Sequence, residues 1–238
     1  MEKKIFEHLT AHALFPHCEH FIAYPLLKKY DYPWEALGEL GEFICRIGRT
    51  LSPEEYNIYD GNVYISRQAK IAPTASVSGP CIICEGATLR HSAYIRGNVI
   101  VGKNATVGNS TELKNAILFD SAQAPHFNYV GDSILGYKAH IGAGTVCSNL
   151  KSDGSEISVI YGNERIPTSR RKLGAMLGDL TEIGCGCVLN PGTVIGCETT
   201  VYPLISVRGY VSNNVIFKSK EHKIIWLNFY LPLEILKK

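Results

Sequence analysis

The sequence predicts an all-β chain folded as a parallel β-helix, and three observations support this fold class. Apolar residues recur every six residues in two long runs. Four residues after each of them the chain has a small or β-branched residue in all but two hexads, which carry Gln123 and Lys151. Helical patterns of about 10 to 15 residues, which an α/β fold would place between its strands, do not occur in these runs.

The six-residue repeat has a simple geometric meaning. One hexad forms a short strand and a turn, three hexads form one triangular coil, and successive coils stack through hydrogen bonds between parallel strands. The first residue of each hexad is expected to fill the interior of this prism. The first residues are Ile71, Val77, Ile83, Leu89, Ile95, Val101, Val107, Leu113, Phe119, Tyr129, Leu135, Ile141, Cys147, Leu177, Ile183, Leu189, Ile195, Val201 and Val207.

The repeat is interrupted between Phe119 and Tyr129, which are ten residues apart rather than twelve. A regular hexad places each side chain either inside the prism or on a flat outer face. The sequence therefore predicts a break in register at this point. The break would allow the side chains of His126 and Tyr129 to project over the neighbouring face of the prism.

Residues 1–66 lack the repeat and are predicted to form an α-helical N-terminal segment. The stretch from Trp34 to Gly48 has the pattern of a helix, and Ser52-Pro53-Glu54-Glu55 resembles the start of another. We expect this segment to pack on or near the first coil of the β-helix, which is assigned to residues 67–214.

Two further segments depart from the repeat. Residues 151–170 are predicted to leave the prism as a loop or a hairpin with its turn at Gly162-Asn163. Because residues 147 and 177 differ by a multiple of six, the prism can resume in register. Residues 215–238 are expected to cap the last coil, since an open sheet edge invites aggregation.

Composition limits the classes of partner. Hydrophobic residues make up 45% of the chain, charged residues 19%, and the net charge of +2 argues against a nucleic-acid partner. The most apolar run, IIWLNFYLPLEIL, is too short to span a membrane and contains Pro232. The N-terminus shows no signal peptide, so the eight cysteines are expected to be reduced thiols in the cytoplasm.

Arg96 and Lys114 are the first residues that suggest a binding site. They are 18 residues apart, one full coil, and each directly follows the first residue of a hexad. Their side chains are therefore predicted to stack outside the prism on adjacent strands, about 4.8 Å apart. Two explanations remain open: an anionic ligand is clamped between the two cations, or Glu112 and solvent screen them.

Other polar residues follow this pair along the same part of the chain. They are His126 and Tyr129 at the interruption, the glycine-rich turn His140-Ile141-Gly142-Ala143-Gly144-Thr145, then Asn149, and the basic stretch Ser169-Arg170-Arg171-Lys172. A stacked cation pair, a histidine, a turn with accessible backbone N–H groups and a basic loop together indicate a site for a phosphorylated polar ligand.

Three motifs carry a resemblance to a known family. They are Glu112-Leu113-Lys114-Asn115, then Pro125-His126-Phe127-Asn128-Tyr129-Val130-Gly131-Asp132, and Ile141-Gly142-Ala143-Gly144-Thr145 followed by Asn149. In this order they resemble the acetyltransferase domain of bifunctional UDP-N-acetylglucosamine pyrophosphorylase/glucosamine-1-phosphate N-acetyltransferase. The later stretch from Arg171 to Asp179 is more similar to sugar-phosphate nucleotidyltransferases with fused β-helix tails. The resemblance implies a left-handed β-helix built from hexapeptide repeats.

The resemblance also implies roles for individual residues. His126 takes the place of the general base, and the sugar phosphate is implied to contact Arg96, Lys114, Tyr129, Asn149 and Lys172. The backbone N–H of Ala143 matches the group that faces the acetyl carbonyl of acetyl-CoA.

Several positions depart from the family pattern, among them His140, Cys185 and Pro203. His140 stands where the family has Asn, and it is interpreted as a substrate contact, a second acid–base group or a turn residue. Cys185, in the region that receives coenzyme A, stands where a smaller residue is usual. Lys220 is implied either to meet the coenzyme A phosphates or to belong to a solvated cap.

The function implied by the resemblance is an acetyl-CoA-dependent N-acetyltransferase acting on an amino-sugar 1-phosphate, with no metal required. The coenzyme A cleft of this family lies between prisms of a homotrimer. Residues 1–66 are too short for a nucleotide-binding domain and contain no glycine-rich phosphate loop, so no pyrophosphorylase activity is expected.

Two alternatives from other classes remain. One is a non-catalytic or regulatory β-helix subunit related to sugar-phosphate nucleotidyltransferases. The other is a zinc enzyme resembling the γ-class carbonic anhydrases, in which histidines of two subunits bind the metal. His91, His126 and His140 are the candidate ligands in the prism, although their spacing does not resemble that family.

Overall fold

The computed structural model describes residues 5–218 and 223–225. A 3₁₀ helix, Glu7–Leu9, is followed by four short helices: α1 (Ala11–Leu14), α2 (Tyr24–Leu27), α3 (Pro33–Ala36) and α4 (Leu40–Gly48). The strands are β1 (Tyr56–Tyr59), β2 (Val63–Ser66), β3 (Lys70–Ile71), β4 (Ser76–Ser78), β5 (Cys81–Ile83), β6 (Thr88–Leu89), β7 (Tyr94–Arg96), β8 (Val99–Val101), β9 (Thr106–Asn109), β10 (Glu112–Lys114), β11 (Ala116–Leu118), β12 (Gln123–His126), β13 (Tyr129–Gly131), β14 (Ile134–Leu135), β15 (His140–Ile141), β16 (Val146–Cys147), β17 (Ile157–Tyr161), β18 (Glu164–Arg170), β19 (Ala175–Leu177), β20 (Glu182–Ile183), β21 (Val188–Leu189), β22 (Thr193–Ile195), β23 (Thr200–Val201), β24 (Ser206–Val207), β25 (Tyr210–Val211), β26 (Val215–Phe217) and β27 (Lys223–Ile225).

Three sheets form the faces of a triangular prism. Sheet 1 has the order β1-β2-β5-β8-β11-β14-β19-β22-β25, sheet 2 the order β4-β7-β10-β13-β16-β21-β24, and sheet 3 the order β3-β6-β9-β12-β15-β20-β23-β26-β27. Within the prism the neighbouring strands are parallel, while the outermost pairs β1–β2 and β26–β27 are antiparallel. The predicted parallel β-helix is confirmed, and its left-handed coiling stays what the resemblance implies.

The prism interior is filled as the repeat predicts, with one exception. Hexad residues such as Ile95, Val107 and Leu189 are fully buried in one continuous core, and alanines such as Ala105 pack beside them. The exception concerns Phe119 and Tyr129, which do not belong to this core.

The predicted register break at His126 is wrong, because the coil shortens elsewhere. Leu118 pairs with Val101, seventeen residues earlier, so the interior residue here is Leu118 and not Phe119. Ala124 and Val130 are the next interior residues. Ala124 was missed because its side chain is too small to stand out in an apolar pattern.

The repeat is shortened at the corner that joins sheet 2 to sheet 1, by one residue in each of two successive coils. One coil has Gly97 and Asn98 between β7 and β8, whereas the next coil has Asn115 alone between β10 and β11. Asn115 and, one coil further, Asp132 adopt positive φ values of 50° and 49° there. Asparagine and aspartate tolerate this left-handed conformation better than most residues. His126 itself lies at a corner of regular length.

The N-terminal segment covers the outer face of sheet 1 and extends well beyond the first coil. Its apolar residues share a second core with the outward side chains of sheet 1, which are Tyr64, Ile82, Ile100, Ile117, Ile134, Met176 and Val194. Phe119 stacks on Phe15 and Phe21, with ring centroids 4.8 Å and 4.1 Å apart. His17 Nδ1 lies 2.8 Å from the buried carboxylate of Asp179 and joins the segment to the prism.

Some details of residues 1–66 differ from prediction. The helix predicted from Trp34 to Gly48 is divided into α3 and α4. The predicted helix start at Ser52 is wrong: Glu54 N donates to Ser52 Oγ in a turn that leads into β1. The prism also begins before residue 67, because β2 already pairs in parallel with β5.

Residues 151–170 form the hairpin β17–β18 with its turn at Gly162-Asn163. Ile157, Val159 and Ile166 belong to the core that covers sheet 1. Both the N-terminal segment and the hairpin therefore lie on sheet 1, and among the described residues neither of them covers the outer faces of sheets 2 and 3. Of the segment predicted to cap the prism, β26 and β27 are described, and the residues beyond Ile225 lie outside the described part. No helix within the described ranges is long and apolar enough to cross a membrane.

Candidate active site

The corner that joins sheet 3 to sheet 2, here called the open corner, carries the predicted general base. His126 ends β12 and is exposed. Its carbonyl oxygen accepts a hydrogen bond from Gly144 N at 3.0 Å, and the carbonyl of Ala143 accepts one from Gly186 N at 2.8 Å. These bonds place His126, Ala143 and Cys185 on successive levels of the same corner.

The turn above His126 offers a free donor. Among the described hydrogen bonds, none uses the backbone N–H of Ala143. Gly144 follows with a positive φ of 72°, and Ala143 is partly exposed. A backbone N–H one level from an exposed imidazole can stabilise a negative charge that develops on a carbonyl oxygen.

A cleft of about 320 Å³ lies beside the open corner on the outer face of sheet 3. Its lining includes His140, Gly142, Cys185, Tyr202 and Pro203. Cys185 is exposed, and Gly142 and Gly184 leave the floor of the cleft without side chains. Gly142, which lines the cleft, directly precedes Ala143 in the chain.

His140 lies on sheet 3 and is not brought together with the other predicted sugar-phosphate contacts. It is paired in the sheet with Gln123 and Glu182. Its Nδ1 lies 2.8 Å from Glu182 Oε2. The carboxylate fixes the orientation of the ring, so His140 belongs to the cleft rather than to sheet 2.

Three of the predicted ligand contacts lie together on the outer side of sheet 2. The side chains of Lys114, Tyr129 and Asn149 meet around Asp132, which is 2% exposed. Asp132 accepts hydrogen bonds from Lys114 Nζ at 3.2 Å and from Asn149 Nδ2 at 2.5 Å. Asn149 Nδ2 also lies 3.2 Å from the Tyr129 hydroxyl. We call these four residues, together with Asn115, the polar cluster.

Asn115 completes the polar cluster at the shortened corner. Its Nδ2 donates to Asp132 Oδ1 at 2.8 Å, whereas its Oδ1 is buried and has no partner in the described structure. A buried carboxylate that accepts three donors holds each of them in one orientation.

Tyr129 stands next to a glycine that the cluster requires. A Cβ on Gly131 would lie 2.6 Å from the Tyr129 hydroxyl and 2.7 Å from Asn149 Nδ2. Burial is the main cause that raises the pKa of Tyr129, and the neighbouring Asp132 adds to it. The phenol is therefore neutral at physiological pH and remains available as a hydrogen-bond donor.

Arg96 and Lys114 occupy successive strands, as predicted, yet each has a carboxylate partner. Arg96 Nη1 lies 2.5 Å from Glu112 Oε1. Lys114 is paired with Asp132. The screening by Glu112 that the sequence left open is therefore present for Arg96, and neither cation is unpaired.

Lys172 lies at the edge of the polar cluster. It forms an isolated bridge with Leu150, and the following residue, Leu173, donates its N–H to Asn149 O at 3.0 Å. Its side chain is exposed. Lys220 lies outside the described residues.

Sequence reasoning missed the importance of Asp132. Asp132 stands in the quoted motif, but its role as the common acceptor depends on contacts between different coils. Arg170, which belongs to the basic stretch noted in the sequence, is half-buried at the end of β18. Within residues 5–218, no three His, Cys, Asp or Glu side chains converge in a way that could hold a metal ion.

Comparisons with known proteins agree with the motifs. Residues 77–169 match the family model described as the GMPPB C-terminal domain. The bifunctional protein GlmU of Methanococcus maripaludis is 36% identical over 172 residues, which cover 71% of this chain and 42% of that protein. A bifunctional sugar-1-phosphate nucleotidylyltransferase/acetyltransferase of Sulfurisphaera tokodaii is 33% identical over 158 residues, covering 66% and 39%.

A solved structure of a hexapeptide transferase family protein from Anaplasma phagocytophilum aligns with a TM-score of 0.45 and 15% identity. The alignment covers 71% of this chain and 88% of that one. The chain spans about two fifths of the length of the curated relatives it matches. The resemblance stated from the motifs is confirmed: the chain carries a domain similar to the C-terminal acetyltransferase domain of the bifunctional GlmU proteins.

Proposed function

We propose that this domain transfers the acetyl group of acetyl-CoA to the amine of an amino-sugar 1-phosphate of the glucosamine 1-phosphate type. The observation that carries the proposal is the open corner, where the exposed imidazole of His126 and the N–H of Ala143 lie on successive levels. The Sulfurisphaera tokodaii relative is a bifunctional sugar-1-phosphate nucleotidylyltransferase/acetyltransferase, and its name supports the substrate class.

His126 acts as the general base in this proposal. The amine of an amino sugar is largely protonated at neutral pH and cannot attack a thioester in that form. The imidazole accepts the proton, and the amine nitrogen then forms a bond to the acetyl carbonyl carbon. As the carbon–sulfur bond breaks, the thiolate leaves and takes up the proton that the nitrogen loses on becoming an amide, and the proton held by the imidazole is released to solvent. General-base catalysis of this kind contributes about 10²- to 10⁴-fold in rate.

The N–H of Ala143 stabilises the tetrahedral intermediate by donating to its oxyanion. The thioester reaches this group from the cleft that Cys185 lines, so the cleft receives the pantetheine arm of the acyl donor. The amino sugar approaches from sheet 2, where Lys114, Tyr129 and Asn149 present polar groups to its hydroxyls and phosphate. Lys172 is exposed at the edge of the same surface.

An assay of thiol release from acetyl-CoA against a panel of sugars tests the proposal. Glucosamine 1-phosphate is expected to release thiol. Glucosamine, which lacks the phosphate, and glucose 1-phosphate, which lacks the amine, are expected to release little. No release with any amino-sugar 1-phosphate would contradict the proposal. Calorimetry that detects binding of neither acetyl-CoA nor sugar phosphate would favour a non-catalytic β-helix instead.

A further inference from the structure

We propose that Asn128 is the positioning residue of the open corner, whose side-chain amide holds the general base and the oxyanion donor in a fixed relation to each other. Asn128 belongs to the motif around His126, but the resemblance assigns it no role. The inference rests on the proposed function, because it concerns how His126 and the N–H of Ala143 are held for acetyl transfer. Asn128 is buried, so it acts through these two groups and not by contact with a ligand.

The side-chain amide of Asn128 has hydrogen-bond partners at both of its ends. The residue is 3% exposed. Its Oδ1 accepts from His126 N at 3.1 Å and lies 3.4 Å from the Thr111 hydroxyl. Its Nδ2 donates to Gly142 O at 2.8 Å and lies 3.4 Å from Thr145 O. Because an N–H faces one end of the amide and two carbonyls face the other, the group has a single orientation.

The contact with Gly142 fixes the direction of the oxyanion donor. The carbonyl of Gly142 and the N–H of Ala143 belong to one planar trans peptide group, so they point in opposite directions. The carbonyl accepts from Asn128 Nδ2 inside the corner and, at 3.2 Å, from Thr145 N. The N–H of Ala143 therefore points out of the corner. A hydrogen bond accepted at the carbonyl end also polarises the peptide group, which strengthens its N–H as a donor.

The contact with His126 holds the general base. His126 and Asn128 flank Phe127, whose positive φ of 51° is unfavourable for a bulky residue. The hydrogen bond from His126 N to Asn128 Oδ1 closes the turn over Phe127 and stabilises this conformation. His126 O accepts from Gly144 N at 3.0 Å, so the backbone of the general base is bonded on both sides. Asn128 thus joins His126 to the turn that carries Ala143.

The two following levels of the open corner show which side chains this position accepts. Thr145 and Cys187 stand at the position of Asn128 on these levels, each directly before a strand of sheet 2. The Thr145 hydroxyl donates to Gly184 O and the Cys187 thiol to Tyr202 O, each at 3.1 Å. A hydroxyl or a thiol can therefore supply the donor at this position. Asn128 differs because its Oδ1 also accepts from the backbone of the general base.

Three substitutions of similar size test the inference: Asn128→Thr, Asn128→Cys and Asn128→Val, which offer Gly142 O a hydroxyl, a weak thiol donor and no donor. With glucosamine 1-phosphate and acetyl-CoA, Asn128→Val is expected to lower kcat by about 10- to 100-fold, because small misplacements of reacting groups are costly. The KM of both substrates should change little, since no ligand contact is lost. Asn128→Thr is expected to recover most of the loss, and Asn128→Cys to lie between the two.

Thr199→Val is the matched control. Thr199 is completely buried, and its hydroxyl donates to Ser212 O of the next coil at 2.7 Å, at the corner that joins sheet 1 to sheet 3. Its loss also removes a buried hydrogen bond between coils, so the urea midpoint should fall. Since Thr199 lies away from the open corner, kcat is expected to keep its wild-type value.

The backbone amide resonance of Ala143 gives a readout that needs no turnover. Its ¹⁵N and ¹H chemical shifts depend on the hydrogen bonds accepted by Gly142 O in the same peptide group. They are expected to change in Asn128→Val, to return toward the wild-type values in Asn128→Thr, and to stay unchanged in Thr199→Val.

Wild-type kcat in folded Asn128→Val, or equal losses of kcat in Asn128→Thr and Asn128→Val, would overturn the inference. A rise in KM without a loss of kcat would also overturn it, because that result indicates a ligand contact. If Asn128→Val does not fold, a lower kcat in Asn128→Cys than in Asn128→Thr supports the inference, and equal kcat overturns it.

The two proposals fail separately. Absence of thiol release by the wild-type protein contradicts only the acetyl transfer, and the Ala143 resonance then decides whether Asn128 orients the donor. Thiol release by the wild-type protein that Asn128→Val leaves undiminished contradicts only the positioning role.

Discussion

The outer faces of sheets 1 and 2 are built by the same coils and yet have different surroundings. Outward residues of sheet 1, such as Ile100, Ile117 and Ile134, are completely buried under the N-terminal segment and the β17–β18 hairpin. Outward residues of sheet 2, such as Glu112 and Lys114, are partly exposed and charged. The inward residues fix the coil, and the outward residues decide whether a face is covered by the chain itself or left open to a ligand.

This difference has an energetic side. Fully burying an isoleucine side chain contributes about 1.5 to 3 kcal/mol, so the covered face is a main source of stability. The polar cluster contributes less, because a typical net hydrogen bond is worth about 1 kcal/mol. We therefore expect substitutions on sheet 1 to change stability, and substitutions on sheet 2 and the open corner to change function.

The largest expected effect on stability comes from placing a carboxylate on each face. Ile117→Asp buries a charge under the N-terminal segment and is expected to lower the free energy of unfolding by about 3 to 5 kcal/mol. Val188→Asp makes the same chemical change on sheet 2, where Val188 is 39% exposed, and is expected to stay within about 0.5 kcal/mol. Urea denaturation measures both. Equal losses would show that sheet 1 is not the covered face.

A smaller effect on the free energy of unfolding is expected at alkaline pH, and it arises from buried thiols of the prism interior. Burial raises the pKa of both Cys81 and Cys147 to about 12, whereas thiols of an unfolded chain titrate near about 8.5. Above that pH the unfolded chain releases protons that the folded chain retains. The free energy of unfolding should therefore fall as the pH rises from about 9 toward about 12, by about 1.4 kcal/mol per pH unit for each thiol.

Urea denaturation in reductant between about pH 7 and 10.5 tests this dependence. Cys147→Ala is expected to make the slope shallower by one thiol, although it lowers stability at every pH. Cys185→Ala, which removes a thiol from the exposed corner position, serves as the control for the loss of a surface thiol. A slope that Cys147→Ala does not alter would contradict the account of the interior thiols.

The coil and the hairpin could be predicted from the sequence because both depend on local patterns. The six-residue period is maintained through most of the prism, which identifies the coil. Gly162-Asn163 is a recognisable turn sequence, which identifies the hairpin. The shortened corners could not be predicted, since the interior residue Ala124 is too small to stand out in an apolar pattern and Asn115 takes the place of two residues. The interruption that drew attention to His126 in fact arises at Asn115 and Asp132.

The covering of sheet 1 and the polar cluster depend on contacts between distant residues. An outward isoleucine such as Ile100 is consistent with a covered face or a subunit contact, and the sequence does not distinguish them. Asp132 joins side chains from different coils, and Arg170 reaches the region of Gly38 far along the chain. Motif resemblance identified Lys114 and Tyr129, but only the structure shows their hydrogen-bond partners, Asp132 and Asn149.

The most direct test of the proposed acetyl transfer compares two histidines of the open corner. His91 lies two levels from His126, is also exposed, and its Nδ1 is 2.6 Å from Thr74 Oγ1. With glucosamine 1-phosphate and acetyl-CoA, His126→Ala is expected to lower kcat by about 10²- to 10⁴-fold without changing the unfolding midpoint, while His91→Ala retains wild-type turnover. Undiminished turnover in His126→Ala would contradict the assignment of His126 as the general base.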